Sequence, residues 1–253
     1  MPSAVRWGRF SRPWRRWPRA RWWRWGAGIL LAAGLVWVGN FVHTAEVRLG
    51  QIPGMVRADL AERGSRFVPL KDIPSSLIAA SVAVEDRSFW TNPGISPEGI
   101  ARAAVVDLVH DRFAQGGSTI TQQLVRDMLL GFQKTLGRKL TEVAYSLLCA
   151  DRYSKDEVMA LYLNEVNYGN GAFGIAAAAK TYFHLQPSAL SLPQCALLAG
   201  IPQDPGALNP LRHPHAAHAR QLVVLQAMVK IGAISPALAR ATAQAPLGLL
   251  PSP

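Results

Sequence analysis

Apolar positions along this chain follow a helical period almost throughout, and strand-like alternation is confined to short pieces such as Arg66 to Leu70. The expectation is an all-α domain. Helix-start signals recur at sensible intervals: Ser96 with Pro97 and Glu98, Thr119 with Gln122, Ser154 with Glu157, Ser191 with Gln194, and Ser235 with Pro236. At such a start a hydroxyl accepts a bond from an open N–H, and a Glu or Gln three residues on can return one. Ile78 to Val84 is almost wholly apolar, which predicts a buried helix ending at Glu85-Asp86. Leu136, Leu140, Val143, Leu147 and Leu148 predict the buried stripe of another helix, with Arg138, Lys139 and Glu142 off that stripe. Gly169, Gly171 and Gly174 mark a loop before the Ala-rich segment Ala176 to Phe183.

One stretch breaks the amphipathic pattern. Gly26 to Val42 is apolar with no charge, and at the helical rise it spans about 25 Å, near the lower limit for crossing a bilayer. Before it, Arg and Trp alternate (Arg6, Trp7, Trp14 to Trp17, Arg21 to Trp25), which suits interfacial anchoring with the arginines held on the cytoplasmic side. No small-x-small cleavage site follows, so the reading is an uncleaved signal anchor rather than a removed signal peptide or a buried core helix. The expected organisation is therefore a cytoplasmic tail (1–25), a transmembrane anchor (26–42), a linker broken by Pro53, Gly54, Gly64 and Pro69 (43–72), and a compact domain (73–250). That topology places the compact domain on the side of the membrane opposite the cytoplasm.

Composition changes this picture little. The net charge of +11 on 253 residues suggests nucleic acid at first sight, but eight arginines and no acidic residue lie in residues 1–25, and the rest is near balance. A nucleic-acid partner is therefore not expected. Cys149 and Cys195 sit in apolar helical patterns and read as buried free thiols, with a disulfide as the alternative. The six histidines show no metal-ligand spacing.

The residues that can carry chemistry cluster in the middle. Gly116 to Leu124 joins a glycine turn to a helix start whose free N–H groups would suit an anion such as a phosphate. Gln122, Gln123 and Arg126 then share one face, while Ile120, Leu124 and Met128 share the opposite one. Glu85, at the end of a buried helix, is a candidate general base because burial raises a carboxyl pKa toward the working pH. A helix-terminal or ion-pair role is the alternative, and for Glu142 the alternative is a helix ion pair with Arg138. Two glutamates, a Gly-Ser-Thr helix start, a Gln-Gln-Arg face and an Arg-Lys pair, all tethered near a membrane, fit sugar transfer from a lipid pyrophosphate.

Five ordered blocks carry a resemblance: Glu85 to Phe89 with Gly94; Gly116 to Leu124; Arg138-Lys139 with Glu142; Tyr153-Ser154-Lys155 through Leu161 to Glu165 with Gly169; and Leu197 to Gly200 through Asn209-Pro210 to Arg220. Over roughly residues 65–250 the chain resembles the peptidoglycan glycosyltransferases of glycosyltransferase family 51, the polymerase module of class A penicillin-binding proteins and their monofunctional relatives. The resemblance implies a lysozyme-like helical fold with a membrane-facing jaw, and an inverting transfer that extends glycan strands from lipid II. By position, Glu85 resembles the base acting on the acceptor hydroxyl and Glu142 the second glutamate near the donor pyrophosphate. Asp86, Phe89, Asn92, Gly117, Ser118, Thr119, Gln122, Gln123, Arg126, Arg138 and Lys139 resemble the groups lining the substrate sites. Phe113, Met128, Leu129, Leu130 and Phe132 are candidates for the jaw, with core packing as their alternative. No cofactor is obligatory; the resemblance allows a divalent cation (Mg2+ or Mn2+) at the pyrophosphate, with Glu142 as its contact. Lipid II, the growing strand, the membrane and other cell wall synthesis proteins are the implied partners.

Two departures stand out. Asn92 replaces the family's usual His, and Arg126-Asp127 replaces its usual Lys-Asn; Arg keeps the positive charge but presents a planar fork instead of a compact ammonium. They motivate one competing reading, a membrane scaffold with weakened catalysis. Paired carboxylates motivate another, a lysozyme-like hydrolase. Nothing like the Ser-x-x-Lys and Lys-Thr-Gly set of a transpeptidase occurs, so polymerisation without crosslinking is expected.

Overall fold

A single helix, α1, runs from Arg19 to Glu62, through the Pro53 and Gly54 expected to break a linker. The computed structural model describes residues 19–99, 117–133 and 135–250; Phe113 and most of the Arg/Trp tail lie outside them. The chain divides into two compact units at Thr44 and Ala45. Before the division α1 is exposed and apolar, with a mean hydropathy of 1.7 in its most apolar window, long enough to cross a membrane. After it the helix becomes amphipathic: Ala45, Leu49, Ile52, Val56 and Leu60 are buried at three and four residue spacings. The compact unit thus begins near Ala45 rather than Ile73, because that stripe continues without interruption across the supposed linker.

Eight further helices build the second unit among the described residues: α2 (Ser75–Glu85), α3 (Ile120–Val125), α4 (Leu136–Arg152), α5 (Lys155–Glu165), α6 (Gly174–Phe183), α7 (Leu192–Gly200), α8 (Pro214–Lys230) and α9 (Pro236–Gln244). Helix α2 packs against α7 and α8, and α3 packs against α4 and α5. Small side chains make the first contact close: Ala80 and Ala83 of α2 and Ala196 and Ala199 of α7 are all buried. No strand forms among the described residues, as the all-α, lysozyme-like expectation has it. The strand-like piece Arg66 to Leu70 is instead paired with a side chain. Asn164 accepts from the Val68 N–H at 2.7 Å and donates to the Val68 carbonyl at 2.8 Å. Its amide satisfies both polar groups of that residue as a neighbouring strand would.

The helix starts fall where the hydroxyls predict them. Thr119, Ser154 and Ser191 each form a reciprocal capping box, and the Ser235 hydroxyl accepts from the Leu238 N–H. Cys149 and Cys195 are buried free thiols, which settles that alternative.

Helix α4 reverses its expected orientation. Leu136 and Leu140 are 86% and 72% exposed, and Leu147 is exposed as well, while Glu142, Tyr145, Ser146 and Cys149 face inward. The polar face lies inward with its groups satisfied within the helix itself. The Ser146 hydroxyl donates to the Glu142 carbonyl at 2.7 Å, and the Glu142 carboxylate is ion-paired. Phe132 is 72% exposed as well, so these apolar side chains lie open among the described residues. Leu129, also assigned to the jaw, is buried, and Met128 and Leu130 are partly so.

Candidate active site

Glu85 is the last residue of α2, so the packing of a buried helix delivers its carboxylate to the end of the core. Oε2 accepts from Gln123 Nε2 at 2.8 Å, and Oε1 lies 3.8 Å from the Arg220 guanidinium. Burial pushes the Glu85 carboxyl above the usual carboxylate range, and the Gln123 bond and the charges of Arg220 and Arg126 partly restrain it. A carboxylate tuned in this way has a strengthened appetite for a proton.

Asp86, beside it, turns the other way. Its carboxylate accepts from Asn92 Nδ2 at 3.0 Å on both oxygens, from the Ser88 hydroxyl at 3.1 Å and from the Ile120 N–H at 3.2 Å. Lys155 donates to the Asn92 carbonyl at 2.7 Å and to its Oδ1 at 3.1 Å, and lies 4.8 Å over the Phe89 ring. Asp86, Phe89 and Asn92 are all buried, so these three expected substrate contacts form a frame that ties the end of α2 to the start of α3.

The start of α3 differs from expectation in the same sense. The anion at its first N–H is the Asp86 carboxylate of the protein itself, not a site left open for phosphate. Thr119 accepts from the Gln122 N–H at 3.1 Å and donates to the Gly94 carbonyl at 2.6 Å, while Gln122 Oε1 takes the Thr119 N–H at 3.0 Å. Gln122 is consequently buried and leaves the face it was expected to share with Gln123 and Arg126. Gly94 adopts a φ of 95°, and a Cβ there would meet the Ser146 carbonyl oxygen at 2.3 Å, so no other residue fits beside α4. What remains open is a cleft of about 380 Å³ lined by Glu85, Ser88, Ser96, Glu98, Gly117 and Ser118 among others.

The second glutamate joins this cleft through a lysine. Lys139 donates to the Ser118 hydroxyl at 3.1 Å and also to Glu142 Oε1, while Arg138 Nη1 donates to Glu142 Oε2 at 2.6 Å. Glu142 therefore anchors two cations from its own helix, and the group as a whole keeps one positive charge. Arg126 adds another cation whose charge acts on both glutamates, and Asp127 pairs with it at 2.6 Å. Both Glu142 oxygens already face cations, and no group of three His, Cys, Asp or Glu placed to hold a metal occurs among the described residues. A divalent ion bound directly at Glu142 does not fit this arrangement.

One family model, described as Transglycosylase, matches the chain over residues 54–229. The chain belongs to the transglycosylase family. It is 39% identical over 208 residues to a protein of Cupriavidus necator described as a transglycosylase, covering 82% of this chain and 86% of that one. It is also 43% identical over 170 residues to penicillin-binding protein 1A of Aquifex aeolicus, covering 67% of this chain and 23% of that protein. Against penicillin-binding protein 1A of Escherichia coli, the identity is 40% over 223 residues, covering 82% of this chain and 26% of that protein. The chain thus spans about a quarter of the length of these penicillin-binding proteins. The enzyme is a peptidoglycan glycosyltransferase, and its apolar helix fits a single membrane span.

Three residues of this transglycosylase site have no role that the sequence alone assigns: Arg220, Lys155 and Asp127. Arg220 reaches Glu85 from α8, far along the chain, and no local spacing announces it. Lys155 follows a helix cap, where its charge reads as ordinary surface. Asp127 is visible only as a departure from the family's Asn.

Proposed function

We propose that this transglycosylase polymerises lipid II into glycan strands, with Glu85 as the base and the cluster of Ser118, Arg126, Arg138 and Lys139 receiving the departing diphosphate. Glu85 takes the proton of the acceptor hydroxyl, whose oxygen attacks the anomeric carbon of the donor sugar. The bond from that carbon to the phosphate oxygen breaks on the opposite face, and the anomeric configuration inverts. Negative charge grows on the diphosphate as it leaves, and fixed N–H and guanidinium donors stabilise it most at that moment.

The observation that carries this reading is the link between the two halves of the site. Glu85 and Ser118 line one cleft, and Ser118 is held by the lysine that Glu142 anchors. Lys139 therefore links the cleft that holds Glu85 to the cationic group around Glu142. Asn92 lies in the frame behind Asp86 and not in the cleft, so its replacement of the usual His removes no group from the reacting centre, which favours the catalytic reading over a scaffold. The exposed Phe132, Leu136 and Leu140 suit contact with the lipid that holds the substrate. The tail is taken as cytoplasmic and the enzyme domain as periplasmic, from the arginines before the span.

The test is incubation of the purified full chain with labelled lipid II, resolving products by length. Polymer from the wild type and none from Glu85→Gln is the expected result. Equal polymer from both would remove Glu85 from the role of base.

A further inference from the structure

Arg126 and Asp127 are neighbours in sequence, and in a regular helix neighbouring side chains point about 100° apart and do not meet. Here they form a two-pronged pair: Arg126 Nε donates to Asp127 Oδ1 at 2.6 Å, and Nη2 donates to Oδ2 at 3.2 Å. The local backbone allows it. Residues Arg126–Leu130 form a π-turn, a widened turn that α-helices adopt chiefly at functional sites. Arg48 on α1 holds that turn by donating to the Leu129 carbonyl at 2.6 Å. The Phe132 ring lies 5.4 Å from the guanidinium, which is thus gripped along one edge and against one face.

A guanidinium has five N–H donors, and the Asp127 fork occupies two of them. No acceptor among the described residues takes the other three. The Arg126 charge acts on Glu85, and Glu142 acts on Arg126. Tyr162 of α5 also lies close enough to feel the Arg126 charge, and its hydroxyl is buried without a partner.

We infer that Asp127 is a positioning residue that fixes the plane of the Arg126 guanidinium so that its unoccupied edge meets the leaving diphosphate between Glu85 and Glu142. This inference rests on the polymerase reading above. Its physical content is a trade of charge for direction. Asp127 neutralises Arg126, which weakens attraction for an anionic substrate in the ground state, and in return holds donors where charge develops during transfer. A lysine would need no such partner, since an ammonium carries no plane to orient.

The experiment is steady-state polymerisation of lipid II by the full chain in four forms: wild type, Asp127→Asn, Arg126→Lys and the double variant. Thermal unfolding of each reports whether it folds. Asp127→Asn should lower kcat about tenfold while KM for lipid II stays level or falls, because a repulsive charge is lost together with the orientation. In the Arg126→Lys background, the same substitution should cost less than about twofold, since no fork remains to orient. A merely structural Asp127 would lower the unfolding temperature and cost the same in both backgrounds. That result, or an unchanged kcat in Asp127→Asn, overturns the inference while leaving the polymerase reading intact. A wild type that makes no polymer overturns both. Should Asp127→Asn fail to fold, Asp127→Glu takes its place: moving the carboxylate by one methylene should lower kcat in the Arg126 background alone, and an equal loss in both backgrounds overturns the inference.

Discussion

The Tyr153 hydroxyl donates at 2.8 Å to the carbonyl of Leu49, the carbonyl that Pro53, four residues further on and without an N–H, leaves without its helical donor. A side chain at the end of α4 thereby repairs the proline's gap in α1. This explains how α1 stays helical through Pro53, and why its second half can present a continuous buried stripe.

Tyr153→Phe should therefore destabilise the domain by about 1–2 kcal/mol, the cost of an unmet buried carbonyl, without touching the reacting groups. Thermal unfolding of the purified chain should show a lower midpoint, with lipid II turnover below that midpoint unchanged. An unchanged midpoint would mean that water serves the Leu49 carbonyl equally well.

The raised Glu85 pKa fixes two signs. Activity should fail on the acid side at a pH above the ordinary glutamate range, because the base must be ionised to work. Stability responds in the opposite direction. A carboxyl whose folded pKa exceeds its unfolded one stabilises the fold below the unfolded value, and that contribution fades as pH rises through the folded value. Ionising the buried Glu85 costs stability, so Glu85→Gln should unfold, at a pH above the folded value, at a temperature equal to or above that of the wild type. A clearly lower midpoint would show that the carboxylate's bonds to Gln123 and Arg220 outweigh its burial.

Gly200 governs Glu85 from a distance. A Cβ at Gly200 would lie 2.8 Å from Arg220 Cγ, too close for the arginine to stay where it is. Gly200→Ala should push Arg220 away from Glu85, remove one of the charges that restrain its pKa, and move the acid limb of the pH profile upward. The direction of that limb is the measurement; a downward shift would show that Arg220 does not act on Glu85 through space.

Leu136 and Leu140 are exposed, so Leu136→Ser with Leu140→Ser should leave the unfolding midpoint within about 0.5 kcal/mol of wild type. If this surface meets lipid, the double variant should show a raised KM for lipid II in vesicles. An unchanged KM would assign the leucines some other neighbour.

Short-range features are legible in the chain itself. The hydroxyls of Thr119, Ser154, Ser191 and Ser235 bond to N–H groups three residues away, so each cap is written within four residues and survives any tertiary context. The same holds for the pairing of Glu142 with Arg138, four residues apart, and for the apolar run of α1. Both glutamates stand out by helix position and ordered motifs.

Everything that depends on which face turns inward is decided only by packing. The leucines of α4 look like a core stripe, yet a helix buries whichever face finds partners. Here α4 packs its polar side toward α3, and the groups turned inward are satisfied within their own helix, Glu142 by Arg138 and Lys139 and Ser146 by a backbone carbonyl. Asp86 reads like its neighbour Glu85, but the α3 N–H and Asn92 engage its carboxylate in the frame, while Glu85 is held instead by Gln123. Sequence by itself determined the helices, their starts and the acidic and basic groups available for chemistry, because those follow from contacts a few residues apart. Tertiary structure decided which of those groups face the cleft and which brace it, because burial and long-range pairing are properties of neighbours the local sequence does not contain.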